Sequence, residues 1–106
     1  MPMTPQRREL IAALRAQAAG IPVVPDFKWD FGFMLETNSC GSVGCALGLG
    51  ELLGHTDFAT IYAGAKVYGL TFDDARRIFY NVENYYGPDE PDVTPAQVAD
   101  ALEAAP

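Results

Sequence analysis

Three threonines punctuate the chain. Thr4, Thr71 and Thr94 each stand just before a run with apolar residues at helical spacing. A threonine oxygen in that position accepts a hydrogen bond from a first-turn N–H that has no partner inside the helix. Pro5 and Pro95 follow two of the three, at the first helical position, where a missing N–H costs nothing. Thr94-Pro95-Ala96-Gln97 completes a capping box. Thr71-Phe72-Asp73-Asp74 comes close to one and puts two carboxylates at the positive end of a helix. Gly20, Gly54 and Gly69 stand where helices stop. Starts and stops this closely spaced admit short helices that must pack on one another.

The spacing predicts a first helix over 5–19, with Leu10, Ile11, Leu14 and Ala18 on one face. A second runs from Cys40 to Leu53. A third, capped by Asp57, covers roughly 58–68 and carries Ile61, Ala65 and Tyr68. A fourth begins at Thr71 with Ala75, Ile78 and Phe79 inward. A last begins at Thr94 with Val98, Ala99 and Leu102 inward. Residues 27–35 follow a different rule. Phe27, Trp29, Phe31, Phe33 and Leu35 alternate with smaller or polar residues, a two-residue period that argues for extended chain. No other segment alternates clearly, so no strand partner is legible. The expected fold is mainly α: a small bundle of four to five helices with one extended aromatic arm or short strand, residues 1–106 forming a single domain.

Charge narrows the function classes. The formal net charge is −7, with 14 acidic residues against 7 basic. Residues 1–19 hold Arg7, Arg8 and Arg15 against Glu9, whereas residues 81–106 carry acids and no Lys or Arg. Phosphate backbones repel such a surface, so nucleic acid is disfavoured as a partner. No apolar run approaches the ~20 residues of a membrane span, and no signal-peptide pattern opens the chain. The expectation is a cytoplasmic protein with reduced thiols.

Four motifs in order, "WDFGFM" at 29–34, "CGSVGCALG" at 40–48, "GLTFDDARRIF" at 69–79 and "TPAQVADAL" at 94–102, span most of the chain. Together they resemble a set of small uncharacterised bacterial and phage proteins with a Cys-Gly-Thr/Ser-x-x-Cys helix start. Met34 stands where that pattern has Trp, and Ser42 replaces Thr. The resemblance implies no activity. It implies that Cys40, Gly41, Ser42, Cys45 and Gly48 form one unit.

Residues 38–54 hold both cysteines and five of the ten glycines. Several chemistries compete there. Gly41, Gly44 and Gly48, three and four apart, would share one helix face and admit a close neighbour, such as the aromatic arm. Cys40 and Cys45 could form a redox or structural pair. Five residues along a helix leave them about 140° apart, so Cys40 would have to curl back over the helix start. Cys40, Cys45, His55 and Asp57 have the ligand types for zinc, but the first and last are separated by a helix about 15 Å long. No other cofactor is expected. The "CGS" of 40–42 is similar to the surroundings of a papain-type nucleophile, yet Val43-Gly44 interrupts that signature and a single histidine is available as base. No Lys follows the glycines as a phosphate loop requires.

Two further features concern partners. Residues 60–79 have the outline of a helix-turn-helix DNA binder, but Asp73 and Asp74 sit where phosphate contacts would be made. Tyr85 and Tyr86 lie beside Asp89, Glu90 and Asp92 in the longest loop, and together these five make a candidate interaction surface. The leading expectation is a non-catalytic interaction or accessory module with a protein partner. A thiol or metal function and a DNA-binding function are the alternatives. Assembly with a second copy is left open.

Overall fold

The computed structural model describes residues 3–21, 23–24, 27–29, 35–38, 41–44, 46–56, 61–81, 85–87 and 93–105. The elements run α1 (Pro5–Ala18), β1 (Phe27–Trp29), β2 (Leu35–Asn38), β3 (Gly41–Gly44), α2 (Ala46–Leu52), α3 (Ile61–Val67), α4 (Phe72–Tyr80) and α5 (Pro95–Ala104). Among the described residues the fold is mainly helical, with five helices, as the punctuation predicts.

All three threonines cap. Thr4 accepts from the Arg7 N–H at 3.1 Å, Thr71 from the Asp74 N–H at 3.1 Å, and Thr94 from the Gln97 N–H at 3.2 Å. The Gln97 side chain answers by accepting from the Thr94 N–H at 2.8 Å, so the capping box is complete. At the other ends, Gly54 and Gly69 adopt φ of +83° and +66°, which a side chain resists. After α2 the Gly54 N–H reaches Glu51 O and the His55 N–H reaches Gly50 O, both at 3.0 Å. That is the Schellman arrangement, and it satisfies carbonyls the helix leaves open.

The helix expected from Cys40 to Leu53 is shorter. Gly41–Gly44 is a strand, and α2 begins at Ala46. The sheet order is β1-β3-β2, with β1 parallel and β2 antiparallel to β3. The aromatic segment therefore finds its partner in a stretch whose glycines hide the strand period. Each Gly in a helix forfeits about 1 kcal/mol relative to Ala, whereas the centre of a sheet supplies backbone partners on both edges. Gly44 pairs with Trp29 on one side and Leu35 on the other. Gly41, Ser42 and Gly44 thus do not share a helix face with Gly48, which is buried in α2.

One apolar core joins the elements. Leu10 and Leu14 of α1, Leu47 and Leu49 of α2, Phe79 of α4, and Val98 and Leu102 of α5 are almost wholly enclosed. Burial of each such side chain stabilises the fold by roughly 1.5–3 kcal/mol. Phe27 adds β1 to the core, and the Trp29 indole N–H donates to Val93 O at 2.8 Å, tying β1 to the entry of α5. Two close approaches let helices meet. A Cβ at Gly64 would lie 2.5 Å from Leu47 Cδ2, and one at Gly50 would collide with the Tyr68 hydroxyl. Close approaches at glycine are thus seen at Gly50 and Gly64, while the surroundings of Gly41 and Gly44 lie outside what is described. No helix among the described residues is long and apolar enough to cross a membrane.

Candidate functional site

The exposed side of the α3–α4 pair is built by helix phase. Ala75, Ile78 and Phe79 turn into the core, which leaves Phe72, Arg76 and Tyr80, four apart, along the opposite face of α4. Tyr62 and Lys66, also four apart, stand outward on α3. The hairpin turn brings the two faces together. The Tyr62 and Phe72 rings stack with centroids 4.9 Å apart and planes at 25°, although they are 74% and 40% exposed. The Arg76 guanidinium carbon lies 5.7 Å from the centre of the Phe72 ring. Among the described residues neither Arg76 nor Lys66 has an ion-pair partner, whereas Arg77 pairs with Asp74 at 3.3 Å and Arg15 pairs with Asp100 and Glu103.

The helix-turn-helix outline at 60–79 corresponds to α3 and α4 with the short connection between them. Its second helix presents Asp73 to solvent in the first turn. The acidic C-terminal surface is partly neutralised by Arg15, which the sequence placed at the far end of the chain.

His55 sits at the end of α2 with its side chain 6% exposed. Nε2 lies 2.6 Å from Glu9 Oε1, and Nδ1 lies 3.1 Å from the Tyr68 hydroxyl. Both contacts are satisfied when Nε2–H donates to the carboxylate and the phenol donates to Nδ1. A carboxylate, an imidazole and a hydroxyl in series is the arrangement that activates a nucleophile. Here the hydroxyl belongs to Tyr68, which is 0% exposed, and burial, with Glu9 adding to it, raises its pKa well above the ordinary phenol value. A phenol closed off from solvent reaches no substrate. The series instead joins α1, the end of α2 and the end of α3.

Of the zinc candidates, Cys40, Cys45 and Asp57 lie outside the described residues, and both ring nitrogens of His55 are engaged. Among the described residues no group of three His, Cys, Asp or Glu could hold a metal ion. The thiol pair likewise falls outside them.

The tyrosine loop divides. Tyr86 is anchored: its hydroxyl donates to Ile78 O at 2.9 Å and its N–H donates to Asn81 Oδ1 at 2.7 Å. Asn81, at φ +54°, also donates through Nδ2 to Gly87 O at 3.0 Å. Tyr85 packs edge-on against Tyr86 at 5.0 Å and is 49% exposed. Asp89, Glu90 and Asp92 lie outside the described residues. Sequence reasoning reached this stretch only through the helix-turn-helix alternative at 60–79, which used Arg76, and did not select Tyr62 or Phe72. The signal was present in α4, where Phe72 and Arg76 fall outside the apolar stripe of 75, 78 and 79.

Comparison with protein families, with curated proteins and with solved structures gives no match for this chain.

Proposed function

We propose that the protein is a non-catalytic interaction module that takes an acidic segment of a protein partner on the exposed face of α3 and α4. The observation that carries this reading is the solvent-exposed stack of Tyr62 on Phe72 with Arg76 beside it. Aromatic residues and Arg are enriched at protein interfaces, where they supply most of the binding energy. Arg76 lies over the Phe72 ring and Lys66 stands one turn along α3 from Tyr62, neither with an ion-pair partner among the described residues, in a chain of net charge −7, so the complementary surface is one of carboxylates next to apolar groups. An Arg fork pairs a carboxylate in bidentate fashion. Tyr85 remains available at the loop, while Tyr86 is committed to the fold.

The test is an amide NMR titration with three probes: a peptide alternating Glu and Leu, its Lys and Leu counterpart, and single-stranded oligo-dT. The expected result is saturable shifts at Tyr62, Lys66, Phe72 and Arg76 with the acidic peptide alone, abolished by Arg76→Glu. Shifts centred on Tyr85 would move the contact surface to the loop. Salt-sensitive shifts with oligo-dT would replace this reading by a nucleic-acid one.

A further inference from the structure

We infer that the α3–α4 face pairs with the same face of a second copy, an inference that rests on reading that face as an interaction surface and names its partner. Asp73 and Arg76 are three residues apart on α4, as are Asp74 and Arg77, a spacing at which helix side chains meet. Arg77 closes on Asp74 at 3.3 Å. Arg76 instead lies over the Phe72 ring, and Asp73 has no ion-pair partner among the described residues. Both side chains are exposed. One face therefore displays a carboxylate and a guanidinium that do not satisfy each other.

At about 100° per residue, Phe72, Asp73, Arg76 and Tyr80 fall within roughly 100° of arc, while Ala75, Ile78 and Phe79 turn into the core. The complement of Arg76 and the Tyr62–Phe72 stack is a carboxylate beside an apolar group. This face carries one, because Asp73 adjoins Phe72. A surface that holds both halves of a contact satisfies itself across a two-fold axis, the commonest symmetry of soluble oligomers. Asp73 and Arg76 lie about 4.5 Å apart along the helix. With the axis crossing α4 between them, each Asp73 meets the partner's Arg76, and the exposed rings flank the two ion pairs.

Two copies of net charge −7 repel each other. Physiological salt screens exposed charges beyond about 8 Å. On this face Lys66 and Arg76 stand against Asp73 alone, so the copies approach through a patch of the opposite sign to the whole chain. Tyr62, Lys66, Phe72, Asp73, Arg76 and Tyr80 are far fewer than the roughly 20–30 residues a side of a standard interface, so the dimer is weak and concentration-dependent.

Sedimentation equilibrium of the full chain between about 10 µM and about 1 mM covers such association. The protein should pass from monomer to dimer within that range. Asp73→Arg alone and Arg76→Asp alone each set like charges opposite one another twice, and each should weaken dimerisation about tenfold or more. Mixed in equal amounts, the two variants should recover a dimer, because each supplies the charge the other lacks. A variant that merely perturbs the fold is not rescued by mixing, and helical circular dichroism checks each one. A monomer at every concentration, a dimer untouched by the single reversals, or no recovery in the mixture overturns the inference. The peptide of Glu and Leu separates it from the reading it rests on. Added to the dimer, the peptide should compete for the same face. Peptide shifts at Tyr62 and Arg76 in a protein that stays monomeric would overturn the dimer and leave that reading standing. A charge-swappable dimer that ignores the peptide would keep the dimer and remove the acidic-peptide reading.

Discussion

The Arg7 Nε–H donates to the carbonyl oxygen of Leu102 at 2.9 Å, across almost the whole length of the chain. A second guanidinium nitrogen donates to Ala105 O at 2.6 Å. These carbonyls close the last turn of α5, which has no basic residue of its own. A buried cation from α1 thus satisfies acceptors the helix leaves open and opposes the negative end of its dipole. Arg7→Met should keep the stem and lose both bonds, destabilising by roughly 2–4 kcal/mol in urea unfolding. Arg7→Lys should recover less than half, because one ammonium does not reproduce the fork. A loss within about 0.5 kcal/mol, the range of ordinary surface substitutions, would contradict this account.

Gly50 gives a second test, because its neighbour is a single hydroxyl. Ala at a helix interior normally gains up to about 1 kcal/mol over Gly. Here the new methyl would meet the Tyr68 hydroxyl, while the next ring atom lies 3.2 Å away. Gly50→Ala should therefore destabilise, by about 1–3 kcal/mol, as overpacking does. In a Tyr68→Phe background the hydroxyl is gone and the ring must give by only a few tenths of an ångström. The penalty should then shrink by at least 1 kcal/mol in a double-mutant cycle, a coupling expected of residues in contact.

These two contacts mark the boundary of what was legible. Helix ends depend on chemistry within a few residues, so Thr4, Thr71, Thr94, Gly54 and Gly69 could be read directly. Gly41–Gly44 could not, because glycine carries neither helical nor strand periodicity and the pairing comes from Phe27–Trp29 and Leu35–Asn38. Arg7 looked like part of a basic N-terminal surface; its burial depends on where α5 packs. At the candidate site, α4's phase was readable, but the stack of Tyr62 on Phe72 needs the angle of the hairpin. Tyr85 and Tyr86 are indistinguishable as letters, and Asn81, reaching Tyr86 and Gly87, decides which one is anchored.

Alkaline titration should report on two buried tyrosines. The phenols of Tyr68 and Tyr86 are held above the ordinary value, each chiefly by burial, with Glu9 and Tyr85 adding to the respective effects. The unfolded chain ionises these groups near the ordinary pKa of ~10, whereas the folded chain resists. A raised folded pKa means that stability is full below ~10 and falls as pH rises beyond it. The urea midpoint should be unaffected by these two groups between about pH 7 and 9 and should decline above 10. Tyrosinate absorbance from Tyr68 and Tyr86 should appear together with loss of helical circular dichroism.

The paired tyrosines of the loop should respond unequally to mutation. Tyr86→Phe removes the bond to Ile78 O, one of the last carbonyls of α4, which the helix itself leaves open. It should cost about 1 kcal/mol, the net value of one such bond, with a smaller change if water enters. Tyr86→Ala also removes the ring under Tyr85 and should cost roughly 3 kcal/mol. Tyr85→Ala deletes an exposed ring and one edge-on contact, so its cost should stay near 0.5–1 kcal/mol. Asn81→Ala should behave like Tyr86→Ala rather than like Tyr85→Ala. It loses both loop bonds, and Ala tolerates the left-handed backbone at position 81 less well than Asn. Thermal unfolding of the four variants orders them, and a Tyr85→Ala loss equal to that of Tyr86→Ala would show that the loop is held by the outer ring instead.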